Sequence, residues 1–297
     1  MRKRFSILIC EEIIMIKKIL FAYSGTENSQ QMLRYMREIP AIKNASINVL
    51  HVVPSQVTTD GMAEKLEQGG KILADVIQAL NIEPNQVSST LRQGEPKDTV
   101  CKVAQEIDAD LIVMGSRGLQ RLESFLENSV SQYVFQLTDR PMLLVKDDIY
   151  VKRIKKVMVA LDRSEASQSS LDLALYLLRD YPEAKLFIFR VNPDLSPKLL
   201  PLSQSEMEQN PVIAEAIKRA KGMGVKYSCL VTGGRPSTEI CQAIEENNVD
   251  LLVMGSPDRR PSIAKGLPDL DRLLGSSLSD YVRVNATCPV LLTRTTA

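Results

Sequence analysis

The chain has no tryptophan, a single histidine and only 5% aromatic residues among its 297. It therefore offers few platforms on which the bases of a single strand could stack. It also lacks a basic excess: 37 Lys+Arg stand against 36 Asp+Glu, a net charge of +1. A general nucleic-acid or membrane-surface binder would carry a positive stripe, so neither partner is expected. No apolar run reaches the roughly 18 residues that span a bilayer. None of the five cysteines, Cys10, Cys101, Cys229, Cys241 and Cys288, belongs to a C-x-x-C pair. The usual signature of a zinc site or a redox dithiol is thus missing, and a reducing, cytoplasmic compartment is expected. Cys101 and Cys241 fall on apolar helix faces and read as core. General acid–base catalysis is poorly supplied with His51 as the one histidine, and no catalytic residue is assigned.

What is present is ordinary in bulk, with 44% hydrophobic and 25% charged residues, and a length that suits about two domains. Residues 1–14 carry MRKR and a short apolar run broken by Glu11 and Glu12, with no small-residue cleavage site. They read as an N-terminal extension rather than a signal peptide, with the first strand opening after Met15. An internal repeat decides the organisation. Asp110–Ser116, DLIVMGS, returns as Asp250–Ser256, DLLVMGS, 140 residues later. Lys17-Lys18-Ile19 precedes Lys155-Lys156-Val157 by 138 residues, and Pro141 precedes Pro289 by 148. The second copy therefore holds an insertion after Ser256. The two domains are expected at 15–148 and 149–297, joined by the short charged stretch Lys146–Lys152.

Each copy alternates strand and helix patterns. In the first, apolar strands are read at Ile19–Tyr23, Ile47–Val53, Leu111–Met114 and Met142–Val145, with a more polar one at Gln86–Leu91 near an edge. Helices are read from Glu27 to Ile39, around Leu66–Leu80, through Val100–Ile107 and from Ser129 to Leu137. The second copy repeats this order, with a helix over Ser205–Ala220 that Pro211 is expected to kink. Such alternation implies right-handed βαβ units and an α/β fold with a mostly parallel sheet. Ligands of these folds bind beyond the carboxyl ends of the strands, where the strand order reverses. Gly115-Ser-Arg-Gly118 is expected to turn the chain there with its N–H groups exposed. Strand, glycine turn and helix N-terminus together suit an anion.

These segments resemble universal stress protein domains, twice over, across about Met15 to Arg294. The resemblance rests on ILFAYSGTENS and VMVALDRSEAS, on DLIVMGSRG and DLLVMGS, and on the closing RPMLLVK and CPVLLTR. It implies two tandem open five-stranded sheets flanked by helices, Rossmann-like and similar to adenine nucleotide alpha hydrolases. It also implies that the last strands pair across a dimer-like interface, here within one chain as a pseudo-dimer. A further homodimer and an unidentified protein partner stay open. The implied ligand is ATP or another adenine nucleotide, with Mg as an optional companion.

Nucleotide-binding members carry G-2x-G-9x-G-S/T after the fourth strand and an Asp at the end of the first. In the first copy Gly115, Gly118 and Ser129 match, Asn128 replaces the third glycine, and Ser24 stands at the Asp position. In the second, Asp162 and Gly255 are present and Gly275-Ser276 match the end of the motif, while Asp258 replaces the second glycine. A carboxylate beside a triphosphate is repelled by about 1–4 kcal/mol for charges about 4 Å apart. The candidate nucleotide-contacting residues are thus Ala22, Ser24, Val52, Met114, Gly115, Arg117, Gly118, Asn128, Ser129 and Val130 in the first copy. In the second they are Asp162, Val191, Gly255, Gly275 and Ser276. Arg121, Arg259, Arg260 and Lys265 could add charge to phosphates or remain solvated loop cations. The implied role is a stress-response sensor or regulator acting through protein contacts. Two alternatives stand beside it. One is a scaffold that binds no nucleotide. The other is an ATP pyrophosphatase-type enzyme, because Ser24–Ser29 resembles an S-G-G-x-D-S loop, with Thr26 for Gly and Asn28 for Asp.

Overall fold

The structure, a computed structural model, describes residues 15–55, 59–116, 130–192, 209–256 and 277–294. The extension 1–14 and the loops after Ser116 and Ser256 lie outside the described residues. The first half runs β1 (Lys18–Ala22), α1 (Glu27–Arg37), β2 (Ser46–Val53), α2 (Thr59–Leu80), β3 (Val87–Gln93), α3 (Pro96–Glu106), β4 (Leu111–Ser116), α4 (Val130–Leu137) and β5 (Met142–Lys146). The second runs β6 (Lys156–Ala160), α5 (Glu165–Leu178), β7 (Lys185–Asn192), α6 (Pro211–Gly222), β8 (Tyr227–Gly233), α7 (Pro236–Asn247), β9 (Leu251–Gly255), α8 (Leu278–Asn285) and β10 (Val290–Thr293).

The α/β class is as expected, and the two five-stranded sheets join as one through the pairing of the last strands that the resemblance implied. A single ten-stranded sheet runs β3-β2-β1-β4-β5-β10-β9-β6-β7-β8. Neighbours are parallel within each half, and β5 meets β10 antiparallel, with Leu143 opposite Leu291. Every residue of both strands is buried, so neither could be left as a water-facing edge. Side chains alternate faces along the strands. Ile19, Phe21, Leu111 and Val113 join the core under α1, α2, α5 and α6. Leu20, Ala22, Ile112 and Met114 join the core under α3, α4, α7 and α8. No described helix is long and apolar enough to cross a membrane.

Pro211 does not kink a helix; it is the first residue of α6, and Asn210 caps it by accepting from the Val212 N–H at 3.1 Å. Proline suits that position, where its missing N–H would have no intrahelical partner. Cys101 and Cys241 are half-buried on α3 and α7, packed against the second core. Burial pushes the Cys241 thiol up to about 11 and the Cys288 thiol to about 12.

The repeated Asp of DLIVMGS and DLLVMGS has a structural task. Asp110 Oδ2 accepts from the N–H groups of Lys17 and Lys18 at 2.7 and 2.8 Å. Asp250 Oδ2 does the same for Lys155 and Lys156 at 3.0 and 2.8 Å. Each carboxylate ties the entry of its half's first strand to the start of the fourth. Asp250 is 9% exposed. Asp250→Ala is expected to cost about 2–4 kcal/mol, since two charge-assisted bonds go and two N–H groups are left in a shielded place. The half-exposed Asp110 should cost less when replaced in the same way. Urea midpoints of the two variants test the order.

The halves are also tied side chain to backbone. Asn28 Nδ2 donates to the carbonyls of Lys146, Asp147 and Ile149 at 3.1, 3.1 and 2.9 Å, which pins the connection after β5. Tyr176 of α5 donates to Ala41 O at 2.8 Å and accepts from the Ile16 N–H at 3.2 Å. Across the seam the ends of β5 and β10 reach over each other. Lys146 Nζ donates to Val284 O in the last turn of α8 at 2.9 Å. Arg294 donates to Phe135 O of α4 and stacks its guanidinium 3.9 Å from the Phe135 ring centroid. Both cations are 6% exposed, and each meets the carbonyl end of a helix, where positive charge is favoured.

Candidate functional site

The strand order reverses between β1 and β4 in the first half and between β6 and β9 in the second. At the carboxyl edge of β1, β2 and β4, the chain places Ala22, Val52 and Met114 on the same sheet face, the one covered by α3 and α4. Ala22 pairs with Met114 across the two strands. Val130, the first residue of α4, packs on that same face. Four of the candidate residues of the first half therefore converge on one crevice wall. Ser24 is exposed just beyond it, in the connection to α1, followed by Gly25 at φ +94°. Arg117, Gly118, Asn128 and Ser129 lie outside the described residues, as do Arg121, Arg259, Arg260, Lys265, Gly275 and Ser276.

Gly115 is not at a turn. It belongs to β4, pairs with Val145 and is not among the glycines with positive φ. Its lack of a side chain serves close approach instead, because a Cβ there would lie 2.4 Å from Thr26 Oγ1. At Gly255 a Cβ would fall 2.2 Å from the carbonyl carbon of Ala166 and 2.6 Å from the Ser167 nitrogen. In both halves the first helix comes down on the end of the fourth strand. Its N-terminus is thereby brought to the edge where the strand order reverses.

In the second half Asp162 follows β6 and is exposed. Its Oδ1 accepts from the Ser164 N–H at 2.8 Å and from the Ser164 hydroxyl. Its own N–H donates to Ser167 Oγ at 2.9 Å. The carboxylate is thus fixed in direction, and Oδ2 accepts no hydrogen bond from the described residues. Ser164 in turn caps α5 by accepting from the Ser167 N–H. Val191 lies on β7, opposite Thr232, on the face covered by α7 and α8.

The start of α8 shows residues that the motif reading missed. Helices α4 and α8 have eight residues each and begin 148 residues apart, at Val130 and Leu278. The counterparts of Asn128-Ser129 are therefore Ser276-Ser277, one position beyond Gly275-Ser276. Ser277 caps α8, accepting from the Asp280 N–H at 3.1 Å and donating to Asp280 Oδ2 at 2.6 Å. Ser279 sits 3.0 Å from both Ser277 Oγ and Ser256 Oγ, so buried hydroxyls join the exit of β9 to the helix. Arg283 stands 3.6 Å from Asp280, and burial lowers its pKa while Asp280 raises it. The repeat offsets also mark Ala160, Met254 and Leu278 as the counterparts of Ala22, Met114 and Val130.

His51 Nδ1 lies 3.1 Å from Tyr23 O, and the ring packs over Gly69 of α2. Asn28, where a pyrophosphatase loop would need an acid, spends its amide on the inter-half connection. Ser29 is fully buried and donates to Thr26 O at 2.8 Å. Among the described residues no group of three or more His, Cys, Asp or Glu could hold a metal ion.

The profile of the universal stress protein family matches residues 15–146 and again 153–294. A universal stress protein of Synechocystis is 30% identical over 138 residues, 45% of this chain and 87% of that protein. One from Thermus aquaticus is 31% identical over 139 residues, 44% of this chain and 100% of that protein. Over nearly the whole chain, the crystal structure of a universal stress protein from Archaeoglobus fulgidus has the same fold. It gives a TM-score of 0.70 at 23% identity and covers 95% of this chain and 97% of that one. Two successive matches, sharing one reversal of strand order and one Asp clamp, account for 15–146 and 153–294: the chain belongs to the universal stress protein family, with two tandem copies of its domain.

Proposed function

We propose that this chain binds ATP or a related adenine nucleotide at the carboxyl edge of its sheet and acts as a nucleotide-dependent regulator through protein contacts. The observation that carries the reading is Asp162. It is an exposed carboxylate at the reversal of strand order, held by Ser164 with one oxygen still open to a ligand's hydroxyl or amino group. That is the position where the family resemblance implies an adenosine-facing acid. Ala22, Val52 and Met114 supply the apolar wall that a base requires in the first half. Val191 stands on the matching face in the second. Serine hydroxyls and a capped helix N-terminus at α8 suit the phosphate end.

Isothermal titration with ATP, ADP, AMP and cyclic AMP, with and without Mg, tests this reading. The expected result is saturable heat with at least one of them, and a matching nucleotide in mass spectra of the denatured protein. Gly118→Asp is expected to weaken binding at least tenfold if the first half is occupied, and Asp162→Asn if the second is. No heat with any of the four sinks the proposal. The scaffold reading draws on one observation: Thr26 Oγ1 lies against Gly115, so a side chain of this chain already fills the space beside the end of β4.

A further inference from the structure

At the opposite edge of the sheet, where α1 and α2 end, lies an open cavity of about 340 Å³. It is lined by Arg34, Arg37, Ala79, Leu80, Asn81 and Ile82. Arg34 donates to Gln31 Oε1 at 3.3 Å and to Ala79 O. Arg37 donates to Gln86 Oε1 at 2.7 Å and to Lys43 O at 3.3 Å. Neither pairs with a described carboxylate. The Nε of each is shut off from water and has no hydrogen-bond partner. The donors left to the hollow are therefore on the Nη groups: Arg37 spends only Nη2 on the chain, and its Nη1 has no partner among the described residues.

The duplication supplies an internal control. The residue 138 positions after Arg34 is Asp172, on α5, and it forms an ion pair with Arg219 of α6. In the second half the space between these two helices is balanced by the chain's own acid. In the first half Arg34 takes the place of the acid and Ala79 that of the base, Arg37 adds a second cation one turn on, and neither arginine has a described carboxylate partner. We propose that the Arg34–Arg37 cavity is an oxyanion site for a phosphate group, either inorganic or on a phosphate monoester, distinct from the nucleotide edge. A carboxylate would satisfy one planar fork of N–H donors, whereas a tetrahedral phosphate offers acceptors to two. The carbonyl ends of α1 and α2 oppose any anion here, so the affinity must come from the two guanidiniums.

Thermal unfolding of the full chain in inorganic phosphate, against sodium chloride of equal ionic strength, tests the site. Phosphate is expected to raise Tm by about 3 °C. Arg34→Gln and Arg37→Gln should abolish the rise. Asn81→Asp, which places an acid in the cavity, should raise Tm in chloride and remove the response. Gly118→Asp should leave the response intact. Nitrogen-edited NMR provides a readout that does not depend on variants: the Nε–H signals of Arg34 and Arg37 should move saturably with phosphate and stay still in chloride. No rise in the unaltered protein, an equal rise in both arginine variants, or a rise lost only in Gly118→Asp would each overturn the proposal.

Discussion

Gly255→Ala is expected to destabilise the second half by about 3–5 kcal/mol, the upper end of what overpacking costs. A methyl group there would meet backbone atoms of Ala166 and Ser167, the closest at 2.2 Å. Backbone cannot rotate aside, so the whole N-terminus of α5 must lift. That helix carries ten buried residues and packs on the strands of its own half and on the short turn Pro40–Ile42 of the first, so little of the core escapes the shift. The first half predicts a contrast. A methyl group on Gly115 would meet Thr26 Oγ1 at 2.4 Å, a side-chain atom that can turn away. Gly115→Ala should therefore cost about 1–3 kcal/mol, and Thr26→Ala in the same chain should recover most of it. Denaturant unfolding of the two single variants and the double variant decides the matter. Equal losses at Gly115 and Gly255 would mean that the helix starts are not the limiting contacts.

Arg294→Ala should cost about 2–4 kcal/mol, from a charged hydrogen bond, a stacked guanidinium and the space left behind. Its partner carbonyl and ring, on Phe135, belong to the other half, so both halves should lose stability in one shared transition. Arg294→Lys keeps the charge but not the planar stack and should fall between. Lys146→Met predicts the opposite emphasis. Burial lowers the Lys146 pKa while Asp148, 3.9 Å away, raises it, so relief of desolvation offsets part of the loss, and a methionine of similar length should cost only about 1–2 kcal/mol. If Lys146→Met were as damaging as Arg294→Ala, the bond to Val284 O would be the stronger tie.

The fold was legible because a seven-residue text occurs twice with one change, Ile112 to Leu252, and the strand and helix patterns keep step around it. The merging of two sheets into one was not contained in periodicity: Met142–Val145 and Val290–Leu292 read as buried strands, and burial does not name the neighbour. The candidate site was harder. Gly115 was conspicuous as a motif glycine, yet the packing of Thr26 against it is a contact between elements and leaves no local signature. The aspartate of the repeat served in the sequence only to align the two copies, and it is a clamp on the first strand. Ser277 was within reach, since the 148-residue offset already read at Pro141 and Pro289 carries Ser129 onto it; the glycine before Ser276 drew attention one residue early. The Arg34 and Arg37 cavity left no trace beyond two bases on one helix, a pattern that surface helices show routinely.

The meeting of β5 and β10 has a consequence for how the molecule can vary. A pair of separate, identical subunits obeys mass action, and whatever one presents at the axis the other must present too. Here the join is covalent, so dilution cannot part the two sides, and a substitution on one need not appear on the other. An amine bonds to a bare carbonyl on one side of the axis while a guanidinium lies on an aromatic ring on the other. The same freedom lets one half hold an aspartate at the carboxyl edge of the sheet while its twin holds a serine. Two unlike binding properties can thus diverge within a framework that stays paired.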